Sequence, residues 1–447
     1  MMRTNMSTMD MAPNQKQWFG HPRGLATLFF TEMWERFSYY GMRALLILYM
    51  VGSTMQPGLG FGEKKAAQIY GIYTMAVYLM GIPGGFVADR FLGHYRAVLI
   101  GGIIIACGHF SMAVPGLPFF YFGLLLIVIG TGLLKPNVST IVGTLYTRDD
   151  TRRDAGFSIF YMGINLGAFI APLITGWLGQ KINWHIGFAA AGVGMVAGLI
   201  QYVMGKKYLT PVSEVVKKTE DRGPRTEDVN APLTTADWMR IGAIGILTLF
   251  ALLFWAGFEQ AGSSLNLFAD RATRLQIFGW TYPSSWFQSV EPLFIITCSP
   301  LFAWLWIKLG RLEPSSPAKF TLGLAFLCLS FLLIVPAAHI FERGNVRVSA
   351  MWLIGLYFLQ AIGELCLSPV GLSMVTKLAP ARLVGLMMGV WFFATAMGNY
   401  VAGWAAGFLE NRTFSEVFFA AFASVAVATV ILAILIKPIR RLMGGVH

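Results

Sequence analysis

The sequence predicts an all-α polytopic membrane protein with twelve transmembrane helices in two bundles of six. The first observation behind this prediction is composition. The chain of 447 residues is 56% hydrophobic and only 13% charged, whereas soluble proteins contain about 25% charged residues. Its 49 glycines and 35 phenylalanines suit helices that pack closely within lipid. The other two observations are the number of long apolar runs and the polar segment that divides them.

Twelve apolar runs are long enough to cross a bilayer, which takes about 20 residues in a helix. They lie near residues 25–51, 67–89, 95–114, 117–145, 154–179, 184–205, 240–268, 286–309, 319–338, 348–378, 383–409 and 415–437. Residues 206–239, between the sixth and seventh runs, are polar and contain several prolines, which indicates a linker. We therefore predict an N-terminal bundle at 25–205, a C-terminal bundle at 240–437, and terminal segments at 1–24 and 438–447.

The placement of lysine and arginine predicts the orientation. With both termini in the cytoplasm, most of the 34 basic residues fall on the cytoplasmic side, as the positive-inside rule requires. The loops outside then hold only Lys64, Lys65, Lys181, Arg271, Arg274, Arg343, Arg347 and Arg412. The net charge of +12 thus follows from topology, and we expect no nucleic-acid binding. Residues 1–20 lack the apolar core of a cleaved signal peptide.

No catalytic or metal-binding motif accompanies these spans. The chain contains neither H-E-x-x-H nor G-x-S-x-G, and we expect no enzyme activity, no metal site and no cofactor. The cysteines lack the spacing of metal ligands and lie in apolar runs, where we interpret them as small core residues: Cys107, Cys298, Cys328 and Cys366. One histidine, His109, lies in the middle of a span, and we interpret it as a core residue with satisfied hydrogen bonds.

The first span carries a stripe of polar residues. At 100° per residue, one sector of about 140° contains Glu32, Glu35, Arg36, Tyr39, Tyr40 and Arg43. A charge in the middle of a membrane helix costs roughly 2.5–3.5 kcal/mol on insertion scales. The stripe therefore predicts a transport pathway or a proton relay. The alternative is a buried ion pair that only holds helices together.

Two further patterns indicate the fold. The fourth span contains Ile129-Gly130, Leu134 and Pro136, and the tenth repeats these residue types at the same spacing, as parallel six-helix repeats do. The loop after the second span has the pattern G-x-x-x-D-R-x-x-G-x-x-R, formed by Gly85, Asp89, Arg90, Gly93 and Arg96. It resembles the loop motif of the major facilitator superfamily. We expect Gly85 and Gly93 to permit close turns, and Asp89 and Arg90 to pair across the cytoplasmic helix ends. The alternative is an ordinary basic loop end.

The first-span stripe resembles the E-x-x-E-R-F-x-Y-Y-G signature of the proton-coupled oligopeptide transporters. A second family motif, F-Y-x-x-I-N-x-G, matches residues 160–167. Shorter stretches around Lys135, Glu259 and Glu364 also resemble the family, so the resemblance covers nearly the whole chain. It implies a major facilitator fold and proton-driven uptake of di- and tripeptides. Many bacterial members insert two helices between the halves, but the 206–239 linker is too short and too polar for them.

The charges suit a peptide even without the resemblance. A peptide is a zwitterion, and the first half supplies the cations Arg43 and Lys135 while the second supplies the anions Glu259 and Glu364. Neutral hydrogen-bonding groups and apolar walls come from Tyr161, Asn165, Trp255 and Trp391. The resemblance extends the peptide site to Tyr39, Tyr40, Tyr78 and Ser368. It also implies two gate pairs between the halves, Arg43 with Glu259 and Lys135 with Glu364.

Simpler roles stay open for these residues. The charges can form permanent salt bridges between helices, the tyrosines can be core residues, and Asn165 can make one hydrogen bond between helices. Proton coupling needs a carboxyl group whose proton affinity changes with conformation, and we expect Glu32, Glu35 and Glu259, together with Arg36, to provide it.

The chain departs from the family pattern at two positions. Gly71 occupies the place of a histidine that animal members use early in the second span, so coupling here should depend on carboxylates. Glu291 precedes Pro292 where we would expect asparagine. It could bind a peptide ammonium, titrate, or simply face water.

The leading hypothesis is a monomeric proton:peptide symporter of the cell inner membrane, with peptides, protons and lipid as its partners. The alternatives are a transporter of nitrate or another small organic anion, a drug:proton exporter, and an integral membrane enzyme.

Overall fold

The protein was analysed as a computed structural model that describes residues 17–55, 57–146, 150, 152–209 and 233–444. Within these described residues, each half of the chain contains seven α-helices, and those of the first half are α1 Arg23–Val51, α2 Glu63–Leu79, α3 Gly81–Val87, α4 His94–Met112, α5 Leu117–Thr144, α6 Arg153–Trp177 and α7 Trp184–Met204. Those of the second half are α8 Thr235–Phe258, α9 Ser264–Ala272, α10 Val290–Leu309, α11 Ser316–Gly344, α12 Met351–Leu378, α13 Val384–Ala406 and α14 Phe414–Leu442. Most of the predicted linker and residues 1–16 lie outside the described residues.

These helices form twelve spans, because two of the spans are built from two helices each. α2 and α3 meet at Met80 and continue through a π-turn at Ala88–Leu92 as one span at Glu63–Leu92, and α8 and α9 join through a 3₁₀ turn into one at Thr235–Ala272. Eleven spans in the described residues are long and apolar enough to cross a membrane. The twelfth is α1, which has 29 residues but carries the charged stripe. Its charges lower its hydropathy below that of the others.

Capping boxes begin two of the spans, and α8 starts at Thr235, earlier than the predicted start near residue 240. Thr234 accepts a hydrogen bond from the backbone N–H of Asp237, whose side chain accepts one from the backbone of Thr234. Thr413 and Glu416 form the same reciprocal capping box at the start of α14. Such a box satisfies backbone donors that the first helical turn leaves free. The helices thus extend through polar residues that an apolar count omits.

The N-terminal hairpin is fastened to the loop between α5 and α6. Its strands β1 Gln17–Trp18 and β2 His21–Pro22 pair antiparallel. Nδ1 of His21 lies 2.9 Å from the hydroxyl of Tyr146, and Arg152 donates to the carbonyl of Gly20 at 3.0 Å. Hydrogen bonds from the Arg152 side chain also hold the pKa of Asp150 below its usual value. The start of α1 is thereby tied to a neighbouring loop.

Within the first half, glycines let helices approach backbone to backbone. A Cβ added to Gly84 would lie 2.0 Å from the carbonyl oxygen of Gly132, and one added to Gly101 would lie 2.6 Å from that of Gly130. α5 therefore packs closely against both α3 and α4, as small residues allow in membrane bundles.

The structure corrects two expectations about single residues. Gly85 makes no close approach, since a Cβ there would meet nothing within 4 Å, and its neighbour Gly84 makes the contact instead. Gly93 does have a positive φ of 73°, as the turn requires. His109 is completely buried, but neither of its ring nitrogens has a hydrogen-bond partner among the described residues. The expectation that its hydrogen bonds are satisfied was wrong.

The two halves meet at the end of the molecule that carries residues 52–62, 273–283 and 411–413, which is the predicted outer end. Nη1 of Arg271 lies 2.5 Å from Oε1 of Glu63, and the side chain of Glu410 accepts the backbone N–H of Lys64 at 2.9 Å. The indoles of Trp177 and Trp280 stack with centroids 5.7 Å apart. The molecule is therefore closed at this end.

A cavity of about 1190 Å³ lies between the halves toward the opposite, predicted inner end. One wall belongs to α6, with Phe157, Ser158, Tyr161 and Met162, and the facing wall to α10, α11, α12 and α14. With the predicted orientation, the closed end and this cavity together describe an inward-facing arrangement of the two bundles.

A glycine contact between α2 and α13 gives a test of this closure. A Cβ on Gly403 would lie 2.5 Å from the Cα of Gly71, and overpacking costs about 1–3 kcal/mol. Gly403→Val should therefore lower the closed population by roughly tenfold or more. Disulfide formation between Lys64→Cys and Glu410→Cys, in a variant without the native cysteines, measures closure.

The control is Gly389→Val on the same helix, where an added Cβ meets nothing within 4 Å. Equal disulfide formation in the two valine variants would contradict the assignment of this contact to the closed state.

Candidate functional site

The charged triad of α1 is buried inside the first half. Glu32, Glu35 and Arg36 are each at most 2% exposed. Nε of Arg36 lies 3.4 Å from Oε1 of Glu32 and donates a hydrogen bond to Glu35. One oxygen of each carboxylate has no partner in the described part of the chain. Two carboxylates thus share one guanidinium. The triad therefore has one net negative charge unless one of its carboxyl groups is protonated.

The second sequence motif brings α6 against this triad. A Cβ on Gly167 would lie 2.3 Å from the carbonyl oxygen of Met33 and 3.0 Å from the Cβ of Arg36. Only glycine fits so close to α1 at the level of the charges. Asn165, two residues before Gly167, donates its amide to the carbonyl of Tyr161 at 3.2 Å, which fixes the orientation of its side chain.

Arg43 joins the two halves. Its Nη2 donates to Oε2 of Glu259, and its Nε donates to the hydroxyl of Tyr70 at 2.5 Å. All three side chains are buried. Glu259 begins the 3₁₀ turn Glu259–Gly262 that interrupts the seventh span, as breaks in transporter helices do at binding sites. This break lets the carboxylate project toward α1.

Aromatic rings cover the cations of α1. The guanidinium of Arg36 lies 5.1 Å from the ring centroid of Tyr39, and that of Arg43 lies 5.6 Å from the ring centroid of Tyr40. These distances fit cation–π contacts, which add about 0.5–2 kcal/mol each. The two tyrosines therefore pack on the charged stripe, and Tyr39 also belongs to the hydrophobic core, against which Tyr40 packs.

Lys135 lies on the same side of the site but does not contact Glu364 in this structure. Its ammonium is 4.4 Å from the ring centroid of Tyr78. Across the interface between α1 and α5, it lies near the charged triad of α1. Glu364 accepts a hydrogen bond from the hydroxyl of Tyr161 at 3.2 Å instead. Pairing of Lys135 with Glu364 remains a prediction for another conformation.

Glu291 lies beside Glu364 on the wall formed by the second half. The two carboxyl groups, from α10 and α12, lie within hydrogen-bond reach of each other. Oε1 of Glu291 is buried and has no donor among the described residues. The sequence marked this glutamate as a departure from the family pattern but could not locate its partner.

The remaining predicted residues lie at different distances from this centre. Ser368 lines the cavity one turn beyond Glu364. Trp255 packs against Gly398, and its indole nitrogen has no partner in the described residues. Trp391 lies apart from the set, 5% exposed and packed on Gly371 within the second half.

Three residues of the site were missed by the sequence analysis. Tyr70 bonds Arg43, and Gln288 donates to the carbonyl of Ala261 at 2.5 Å and lies 3.4 Å from the hydroxyl of Tyr357. The position of Tyr70 two turns before Tyr78 was a usable signal, since such residues lie near the same helix face. No local pattern marks Gln288 or Tyr357, because their roles depend on contacts between distant helices.

The loop motif lies away from the site, at the predicted inner end. Asp89 and Arg90 are exposed in the π-turn Ala88–Leu92. Oδ1 of Asp89 lies 3.7 Å from Nε2 of His94, whose other ring nitrogen lies 2.8 Å from Oδ1 of Asn137. Arg90 and Arg96 form no ion pair with a described residue. Pairing of Asp89 and Arg90 across helix ends stays a prediction.

Comparison with known proteins identifies the family. The model of the POT family matches residues 95–220 and 232–425. The chain belongs to the POT family. It is 38% identical to the peptide transporter YePEPT of Yersinia enterocolitica, over 98% of this chain and 99% of that protein. It is 37% identical to a di-/tripeptide transporter of Lactococcus lactis, over 97% and 99%.

Solved structures agree with this family. A crystal structure of a variant of peptide transporter POT in complex with alafosfalin matches with a TM-score of 0.86 and 41% identity, over 96% of this chain and 98% of that one. A POT family transporter in complex with 5-aminolevulinic acid matches with a TM-score of 0.85 and 34% identity, over 95% and 98%. The predicted major facilitator fold and the predicted transporter family are therefore confirmed.

The contact between Arg43 and Glu259 can be measured as a coupling energy. Removal of one member leaves a buried charge without its partner, which typically costs 3–5 kcal/mol. The two single alanine variants should therefore lose more stability, added together, than the double variant loses. We expect a coupling above about 1 kcal/mol in a double-mutant cycle on thermal stability of the detergent-purified protein.

The same cycle with Arg43→Ala and Glu313→Ala is the control, because Glu313 pairs with Lys319 at the predicted inner end. A coupling within roughly 0.5 kcal/mol of zero for Arg43 and Glu259 would show that the two residues do not meet in the purified protein.

Proposed function

We propose that the protein is a proton-driven symporter that carries di- and tripeptides into the cell by alternating access between its two bundles. One observation carries this proposal. Cations of the first half, Arg43 and Lys135, lie across the interface from carboxylates of the second half, Glu259, Glu291 and Glu364, and Tyr161, which bonds Glu364, lines the cavity. Such an arrangement suits a dipolar substrate with charges at both ends.

In this proposal the two walls bind the two ends of the peptide. The ammonium end binds at Glu364, and the carboxylate end binds at Lys135. Tyr161 and Asn165 on α6 offer hydrogen bonds to the peptide between them. Because every peptide has these charged ends, the site can accept many side chains. The cavity of about 1190 Å³ is large enough for a di- or tripeptide.

Proton coupling depends on the carboxylates that share guanidinium groups. Glu32 and Glu35 share Arg36, while Glu259 holds Arg43. A carboxyl group that loses its guanidinium partner inside the protein favours the protonated form, because desolvation then acts without the compensating cation. Separation of the halves at Arg43 and Glu259 would therefore bind a proton, and their closure would release it.

The inward-facing arrangement corresponds to the release step. The outer end is closed by the pairs around Glu63 and Glu410, and the cavity reaches the predicted inner end. Closure of that inner end would bring α5 toward α12 and allow Lys135 to meet Glu364. The second gate pair would then form when the first one opens.

The setting of this activity is the cell inner membrane, with both termini in the cytoplasm. The distribution of basic residues supports this orientation. We propose a functional monomer with no resident cofactor, in which protons are the coupling ion. Each proton moved inward gains about 2.3 kcal/mol per 100 mV of membrane potential. The relatives named above are transporters, and an enzymatic role has no support from the site.

The direct test is uptake of labelled dialanine by proteoliposomes with an imposed inward proton gradient. Accumulation should require the gradient and should be unaffected by nitrate or simple organic anions. In the same assay Glu35→Gln and Arg36→Ala should abolish gradient-driven accumulation yet retain peptide counterflow, because they alter the proton triad and not the peptide anchors.

Asp154→Asn provides the control, since Asp154 is an exposed carboxylate in the first turn of α6. Accumulation at the wild-type level in Glu35→Gln or Arg36→Ala would refute the role of the triad in coupling.

The end anchors give a second prediction. Glu364→Ala should weaken binding of peptides with a free amino end by roughly tenfold or more relative to N-acetylated peptides, because a hydrogen-bonded charge pair is worth about 1.5–3 kcal/mol. Lys135→Ala should likewise weaken binding of peptides with a free carboxyl end relative to peptides with an amidated carboxyl end. Competition binding to the purified variants measures both ratios, and equal weakening of free and blocked peptides would show that the anchors are misassigned.

A further inference from the structure

The carboxyl group of Glu291 is not needed for the peptide's ammonium, which Glu364 can bind alone. Both glutamates are partly buried beside the cavity, within hydrogen-bond reach of each other. Glu364 already accepts the hydroxyl of Tyr161, whereas Oε1 of Glu291 is buried with no donor in the described residues. Two carboxylates this close repel each other strongly unless a positive charge or a proton lies between them.

The surroundings of the pair supply no spare cation. The ionisable groups that face Glu291 and Glu364 come from four elements: Tyr40 and Arg43 of α1, Tyr161 of α6, Glu259 after α8, and Tyr357 of α12. Arg43 is the cation among them, and its Nη2 is bonded to Glu259. The pair therefore has two negative charges to neutralise and no positive side chain of its own within the described residues.

We propose that Glu291 and Glu364 form a second proton site, which carries one proton together with a peptide that has a single ammonium group and gives up that proton when the peptide carries a second ammonium group. This inference rests on the proposed peptide transport and goes beyond it, because it assigns a role to Glu291 and defines a substrate class. The proton comes from the outer water phase and is bound between the two carboxyl groups.

Charge balance determines how many protons are carried with each kind of peptide. An ordinary peptide brings one ammonium, which balances one carboxylate and leaves the proton on the other. A peptide whose first residue carries a second ammonium close to the first can balance both carboxylates, so the proton is not carried. On release through the cavity, the first peptide delivers one proton more to the inside than the second one does.

The experiment compares two matched peptides in proteoliposomes. They are 2-aminobutyryl-alanine and 2,4-diaminobutyryl-alanine, which have the same carbon skeleton and differ by one ammonium. The number of protons per peptide follows from the membrane potential at which net flux reverses under fixed gradients. We expect the wild-type protein to carry about one proton fewer with the diammonium peptide.

Glu291→Gln removes one carboxylate of the pair at almost unchanged volume. The proton number for the monoammonium peptide should then fall by about one and equal that for the diammonium peptide. Competition binding, which needs no transport, should show that Glu291→Gln loses roughly tenfold in relative affinity for the diammonium peptide. Glu291→Asn should behave like Glu291→Gln. The control variant Asp154→Asn should keep the wild-type proton number and the wild-type relative affinity.

Each other outcome overturns the inference. An unchanged proton number in Glu291→Gln would mean that the pair carries no transported proton. An equal fall for both peptides, or an unchanged preference between them, would mean that a second ammonium does not replace the proton. If wild-type uptake of either peptide is independent of the proton gradient, the proposed function itself fails. Failure of the proton-site inference is thus distinguishable from failure of the proposed function.

Discussion

A lipid bilayer does not solvate ions, so every buried charge in this protein must be matched by an opposite charge, a proton or a substrate. This constraint decides the arrangement of the site. In the first half, Arg36 is held by Glu32 and Glu35. Between the halves, Arg43 is held by Glu259. The first group leaves one carboxylate charge unmatched, which a proton can balance, whereas Arg43 and Glu259 balance each other only while they are in contact.

Close helix packing positions these charges. Gly167 allows α6 to lie against the backbone of α1 at the level of Arg36, and the 3₁₀ turn at Glu259 ends α8 beside Arg43. Each of these two features determines where a charged group lies. The glycine contact of α2 with α13 has the same importance for the closed outer end, because it sets how near the two halves can approach.

Much of the fold could be predicted because its signals are local. Apolar runs of span length and a polar linker are visible in the sequence, and the polar stripe of α1 follows from helical periodicity alone. What could not be predicted depends on contacts between distant segments. Tyr70 bonds Arg43 from another helix, and Gly84 rather than Gly85 meets α5. Hydropathy also placed the start of α8 too late, because its capping residues are polar.

The position of the ion pairs explains why closure at one end can favour opening at the other. In the inward-facing arrangement Arg43 is neutralised by Glu259, so the outer end is closed with no charge left over there. Lys135 and Glu364, by contrast, lie in opposite halves and do not contact each other. If the halves rotate so that Lys135 reaches Glu364, Arg43 and Glu259 must separate, and their charges then need a proton or a peptide. Because unmatched buried charge is costly, the proposed mechanism would let the empty protein hold one gate closed at a time, and binding of substrate and proton would allow the exchange.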